Sequence, residues 1–278
     1  MTAVDLSAPA EMVRSHDPDL FHAALFAPEP ARARLMVLYA FDIELSKAAL
    51  RPSEPLIARM RLQWWRDLVD GIGAGEPPRA HEVAGPLHGV LSADVVPGEE
   101  LTALIDAHET ELHGAMDEHR FGEWLDARFG GLMRLAAHLL TGGDGAARRA
   151  AGAVGHAMGV AYVLRNAVAM AADGGQYLLP SLGPEDRAAL ARGRTTPHTR
   201  AVAHGQADQA LALLAAARAG RRSVPPEAAP ALLPVWRAER VLAQARKPGF
   251  DLMPHPHRPH HDGRRAVSLA WRALRGRW

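Results

Sequence analysis

Hydrophobic residues recur at helical spacing along most of this chain, and nowhere do they alternate as in a half-buried strand. The densest stretch is 35–72. Its first half is apolar almost all round, with Leu35, Met36, Leu38, Tyr39, Phe41, Ile43 and Leu45, the pattern of a helix buried within a bundle. Asp42, Glu44 and Lys47 are set into that helix, and charges there must be paired or face a cavity. Arg51-Pro52-Ser53-Glu54-Pro55 predicts a corner, with Ser53 as the N-cap of the next helix. In that helix Ile57, Met60, Trp64 and Leu68 fall at i, i+3, i+7 and i+11 and predict its buried stripe, with Arg59, Arg61 and Arg66 away from the centre.

The rest of the chain reads the same way. Residues 1–16 are expected to be a disordered tail, and 17–278 one helical domain. Asp17-Pro18-Asp19 caps a short helix, a weaker helix runs near 80–91, and Pro97-Gly98 opens another through about His113. Residues 121–141 predict a single long helix, and Asp144 caps the next, 146–172. Gly152, Gly155 and Gly159 inside it would each cost about 1 kcal/mol in an exposed helix, so another helix is expected to pack closely there. Further helices are expected from Gly183-Pro184, over 197–219 and over 230–247, before a His- and Pro-rich tract and a terminal basic helix, 263–278. The fold class is therefore all-α, a bundle with short connections.

Composition narrows the function. A hydrophobic content of 48% and a charged content of 23% are those of an ordinary globular protein. The net charge of +1 gives no global field toward nucleic acid, so no nucleic-acid partner is expected. With no cysteine there is no disulfide, thiolate metal site or cysteine nucleophile. The N-terminus is acidic and unlike a secretory signal, and no apolar run reaches the roughly 18 residues of a membrane span. The expected compartment is the cytoplasm, with peripheral attachment to the inner face of the membrane open.

Two sets of residues carry a family resemblance. The first is Leu38-Tyr39-Ala40-Phe41, with Arg61-Leu62-Gln63-Trp64-Trp65 one helix later; the second is Leu164-Arg165 followed by Gln176-Tyr177-Leu178-Leu179-Pro180. In order and spacing they resemble the squalene/phytoene synthase family, the head-to-head isoprenoid synthases, over about residues 17–278. The resemblance implies the trans-isoprenyl diphosphate synthase fold. It also implies two aspartate-rich motifs whose magnesium ions neutralise the departing pyrophosphate. The first motif falls here on Ser46, Lys47 and Leu50. The second falls on Asn166 and Met170, or on Ala167 and Ala171 if counted back from the Leu-Pro end.

With those carboxylates absent, the chain is most similar to the family's non-catalytic branch, which includes proteins that assemble respiratory complex I. That resemblance implies no catalytic residue, no cofactor, and a complex I subunit or other protein client as partner. The alternatives are an active prenyltransferase condensing farnesyl or geranylgeranyl diphosphate, which would require magnesium, and a carrier of an isoprenoid or lipid. For the carrier, Met60, Trp64, Met158 and Met170 either line an apolar tunnel or pack as ordinary core.

The remaining features divide between chemistry and plain structure. Asp42, Glu44, Arg61 and Arg165 are candidate polar groups of the old pocket; Glu44 and Lys47 can instead pair with each other at i, i+3. His108-Glu109-Thr110-Glu111-Leu112-His113 lacks the histidine spacing of a zinc-protease helix and is expected on the surface. The tract 255–261 is extended by prolines and is expected as a solvated linker, and Asp173 as helix-end chemistry. In the terminal helix Val267, Trp271, Leu274 and Trp278 form a stripe beside Arg264, Arg265, Arg272, Arg275 and Arg277. Such a helix lies on an anionic membrane or partner, with Arg264, Arg265, Trp271, Arg272, Arg275 and Trp278 as its face, or docks its tryptophans on the bundle.

Overall fold

The computed structural model describes residues 6–49, 54–92, 96–113, 116–172, 179–252 and 278. The first element departs from expectation, since part of the supposed tail forms α1 (Ala8–His16). Ser7 accepts from the N–H of Ala10, and Pro9, Ala10 and Val13 are buried. The tail is ordered because this short apolar face packs on the helix of residues 31–49. Asp17 then caps α2 (Pro18–Ala24), accepting from the N–H groups of Asp19 and Leu20 at 3.1 and 3.0 Å.

The two central helices of the sequence pattern are α3 (Ala31–Ala49) and α4 (Pro55–Gly73). α3 is buried without interruption from Leu35 to Ile43. α4 is rotated relative to expectation: Ala58, Leu62, Trp65 and Val69 are buried beside the predicted Leu68, whereas of the other predicted positions Trp64 is half-buried and Ile57 and Met60 are exposed. Trp65 makes the contact with α3, edge-on to Phe41 at 5.3 Å, while Met60 stays 65% exposed.

α5 (Ala84–Ser92) and α6 (Gly98–Thr110) follow, α6 continuing into a single 3-10 turn, Glu111–His113. The predicted long helix is α7 (Glu118–Leu125) and α8 (Gly131–Thr141), joined by a π-helical turn, Asp126–Gly130. α9 (Gly145–Ala172) begins on Asp144, whose Oδ1 accepts from Ala147 N–H at 2.8 Å. It forms the spine on which α8, α10 (Pro184–Ala191), α11 (Pro197–Ala219) and α13 (Val235–Ala245) pack. The expected 230–247 helix is divided into α12 (Ala229–Leu232) and α13, because Pro234 has no N–H to continue the ladder. The described residues contain no strand, and the main apolar cluster joins residues from Ala10 to Leu252, with Trp278.

Close packing at the glycines of α9 is realised, against the π-turn. A Cβ on Gly155 would stand 2.2 Å from the carbonyl oxygen of Phe129, and one on Gly159 would stand 2.6 Å from the Leu125 and Phe129 side chains. Ser53, Leu50, Asp173, the Gln176-Tyr177-Leu178 segment, the histidine tract and all of the terminal helix but Trp278 lie outside the described residues.

Candidate functional site

The face of α3 that carries Asp42 and Ser46, one turn apart, meets an arginine that the sequence pattern did not single out. Arg128, on the π-turn, is only 6% exposed. Its Nη1 donates to Asp42 Oδ1 at 2.5 Å, its Nη2 to Ser46 Oγ at 3.0 Å, and its Nε to Glu111 Oε1 at 3.3 Å. His108 of α6, fully buried, lies with Nε2 3.1 Å from the same Asp42 oxygen. Facing a carboxylate, that nitrogen is the N–H donor. One guanidinium thus ties α3, the end of α6 and the π-turn together. Its own position depends on the glycines that let the turn approach α9.

The electrostatics follow from this geometry. Burial alone would push the Asp42 carboxyl up, but the Arg128 charge and the His108 hydrogen bond more than offset it and hold Asp42 below the usual carboxylate range. Burial, then the neighbouring Arg128 charge, pushes His108 down, so its imidazole is neutral beside an ionised Asp42. Tyr162 on α9 meets the π-turn through Phe129, ring centres 5.4 Å apart. Desolvation first, then the charge of Glu111, pushes its phenol up to about 12. The cluster is a buried ion network of two carboxylates on one guanidinium with an aromatic neighbour, in which His108 Nε2 is engaged by Asp42 while its buried Nδ1 has no hydrogen-bond partner among the described residues.

The other residues expected in one pocket are dispersed. Lys47 pairs with Glu44 at 2.9 Å, as the i, i+3 spacing allows, on a different side of α3 from Asp42 and Ser46. Glu44 and Lys47 line an open groove of about 320 Å³ with Arg61, Trp64, Trp65 and His81. On α9, Arg165, Asn166 and Met170 are half-buried. Asn166 turns back on its own helix, its Nδ2 donating to Tyr162 O at 2.8 Å. Met158 and Met170 pack against the core, whereas Met60 is largely exposed and joins no tunnel wall there. Among the described residues no three His, Asp or Glu side chains are grouped to hold a metal ion.

Two expectations are corrected here. The His108–Glu111 stretch is not a surface face: His108 is in the core and Glu111 in the network. The signal was present, since His108 shares helical spacing with Leu101, Leu104 and Ile105, and Arg128 stands in the apolar progression Phe121, Leu125, Leu132. Trp278 also leaves the membrane or partner face to which it was assigned. It is 9% exposed, its carbonyl accepting from Arg218 Nε at 2.7 Å.

A squalene/phytoene synthase family profile matches residues 13–268. The chain belongs to that family. Its fold is similar to a dehydrosqualene synthase crystal structure, with a TM-score of 0.79, 15% identity, and coverage of 96% of this chain and 94% of that one. It is also similar to squalene synthase HpnC from Alicyclobacillus acidocaldarius, with a TM-score of 0.71, 21% identity, and coverage of 86% and 91%. These likenesses bear out the isoprenoid-synthase bundle. In sequence, the chain is 28% identical over 257 residues to the Mus musculus protein named NADH dehydrogenase (ubiquinone) complex I, assembly factor 6, covering 88% of this chain and 75% of that protein. The Homo sapiens protein of the same name is 26% identical over 255 residues, with the same coverage. Among the described residues no helix of this family member is long and apolar enough to cross a membrane.

Proposed function

We propose that this family member is an assembly protein for respiratory complex I, a squalene/phytoene synthase scaffold that performs no prenyl transfer. The observation that carries the reading is that relatives matched over 88% of the chain are named for complex I assembly. The donor chemistry supports it. At the positions where the resemblance places magnesium-binding aspartates stand a hydroxyl engaged by Arg128, an ammonium paired with Glu44, an amide bonded to its own helix, and the thioether of Met170. Magnesium takes hard oxygen ligands in near-octahedral geometry, and this set does not fit it. Arg128 is itself a fixed cation, but Asp42, Ser46 and Glu111 already take up its donors.

In this reading the partner is a complex I subunit, and the protein works at the cytoplasmic face of the membrane, where the arginines of 264–277 supply attraction to anionic lipid. Deleting the gene is expected to lower assembled complex I and its NADH oxidation. Unchanged complex I would sink the proposal. Release of pyrophosphate by the purified protein from farnesyl or geranylgeranyl diphosphate with magnesium would instead restore the prenyltransferase reading.

A further inference from the structure

The first two turns of α4 are built the wrong way round for a helix of a closed bundle. Leu56 is 71% exposed, Met60 65% and Ile57 40%. Ile57, Arg61 and Trp64 follow at i, i+4 and i+7, so these apolar side chains lead along one face into the groove between α3 and α4. There Trp64 and Trp65 stand edge to face at 4.8 Å, and His81 approaches both rings at 5.6 and 5.3 Å. Of the cations beside this groove, Lys47 is paired with Glu44, and Arg79 lies 3.6 Å from Glu76 and over the Trp64 ring. Arg61 alone of these three has no ion-pair partner among the described residues. A concave aromatic floor, an apolar approach and one unanswered positive charge fit a folded or folding polypeptide better than a flat lipid surface, which meets a convex face.

We propose that this face is the docking surface for an amphipathic segment of a protein partner: apolar side chains of the segment cover Leu56, Ile57 and Met60, and a carboxylate beside them pairs with Arg61. The inference rests on the assembly reading only in taking the partner to be a protein. Burial of exposed Leu, Ile and Met supplies affinity, and Arg61 supplies register and sign, since apolar contact alone discriminates poorly.

The test uses the full chain and a fluorescein-labelled synthetic peptide with a leucine stripe flanked by glutamates. Controls are the same peptide with lysine for each glutamate, a scrambled peptide, and phosphatidylcholine–phosphatidylglycerol vesicles. We expect the acidic peptide to bind best. Met60→Glu and Arg61→Glu, both substitutions of exposed residues, are each expected to weaken it at least about tenfold. Leu213→Glu, at an exposed apolar position on α11, should leave binding unchanged. Equal binding of the lysine or scrambled peptide, no loss in the α4 variants, binding to vesicles or self-association that those variants abolish, or no peptide binding at all would each overturn the proposal. In a deletion strain with lowered complex I, full complementation by Met60→Glu and Arg61→Glu would remove the docking surface and leave the assembly reading intact. A deletion without effect on complex I, with acidic-peptide binding retained, would do the reverse.

Discussion

Gly155 of α9 lies directly under the carbonyl of Phe129, so close that a methyl group in place of its hydrogen would meet backbone atoms at 2.2 to 2.7 Å. Backbone cannot swing aside as a side-chain end can, so the π-turn reaches this position only over glycine. Arg128 is the neighbour of Phe129, and its grip on Asp42, Ser46 and Glu111 is set by the height of the turn above α9. Gly155→Ala is therefore expected to destabilise the protein by about 1–3 kcal/mol or more, from overpacking. Gly205, mid-helix in α11 with open space where a Cβ would sit, should behave oppositely. Gly205→Ala is expected to stabilise by roughly 0.5–1 kcal/mol. Urea unfolding of both variants checks the pair, and a gain at Gly155 would show that the turn is free to lift.

Removing half of the buried ion network should be worse than removing both partners. Arg128→Met leaves Asp42 and Glu111 uncompensated and is expected to destabilise by about 3–5 kcal/mol. Asp42→Asn combined with Arg128→Met removes the stranded Asp42 charge and should recover part of that loss. Strict additivity of the two substitutions in denaturant melts would mean that the 2.5 Å contact carries no coupling.

How much of this was legible beforehand depended on whether the deciding contact was local. The cap at Asp17, the cap at Asp144 and the Glu44–Lys47 pair each lie within a few residues of sequence, and all form. The all-α bundle and the tight approach at Gly155 and Gly159 followed from periodicity and from the cost of glycine in a helix. The rotation of α4 did not, because its N-terminal half is apolar over more than one face and only packing on Phe41 selects Trp65 over Trp64. The π-turn was likewise hidden, since it inserts one residue without changing composition. As for the candidate site, Asp42 was visible as a charge needing a partner. The partner is 86 residues away, and only the fold brings it in.

The neutral state of His108 gives the network a pH dependence. Its pKa lies below 6.5 in the folded protein, first through burial and then through Arg128. Below pH 6.5 the unfolded chain therefore takes up a proton that the folded chain refuses. Stability associated with this group is present at neutral pH and is lost as pH falls through that window. His108→Gln keeps a donor for Asp42 and does not titrate, so its loss of stability on acidification should be shallower than the wild type's. Melting temperatures of the two proteins between neutral and mildly acidic pH measure the difference, and parallel curves would exclude His108 as its source.

Asp17 should act with the opposite sign. Burial first, and then the neighbouring charge of Asp19, raises its pKa from 3.8 to about 6, although its carboxylate accepts two backbone N–H groups at the start of α2. A folded value above the unfolded one means that its stabilising contribution is complete below the unfolded pKa and declines as pH rises through the folded one. The native protein at neutral pH thus holds an ionised Asp17 in a place that favours the neutral acid. Asp17→Asn offers the same N–H groups an amide oxygen and no charge. Because Asp17 retains intermediate exposure to solvent, the advantage of the variant is expected to be on the order of 1–2 kcal/mol above pH 6, vanishing below about pH 4. The difference in unfolding free energy should grow between those limits and then level off. A difference independent of pH would mean that Asp17 is solvated enough to titrate as an ordinary carboxylate, its role being the helix cap alone.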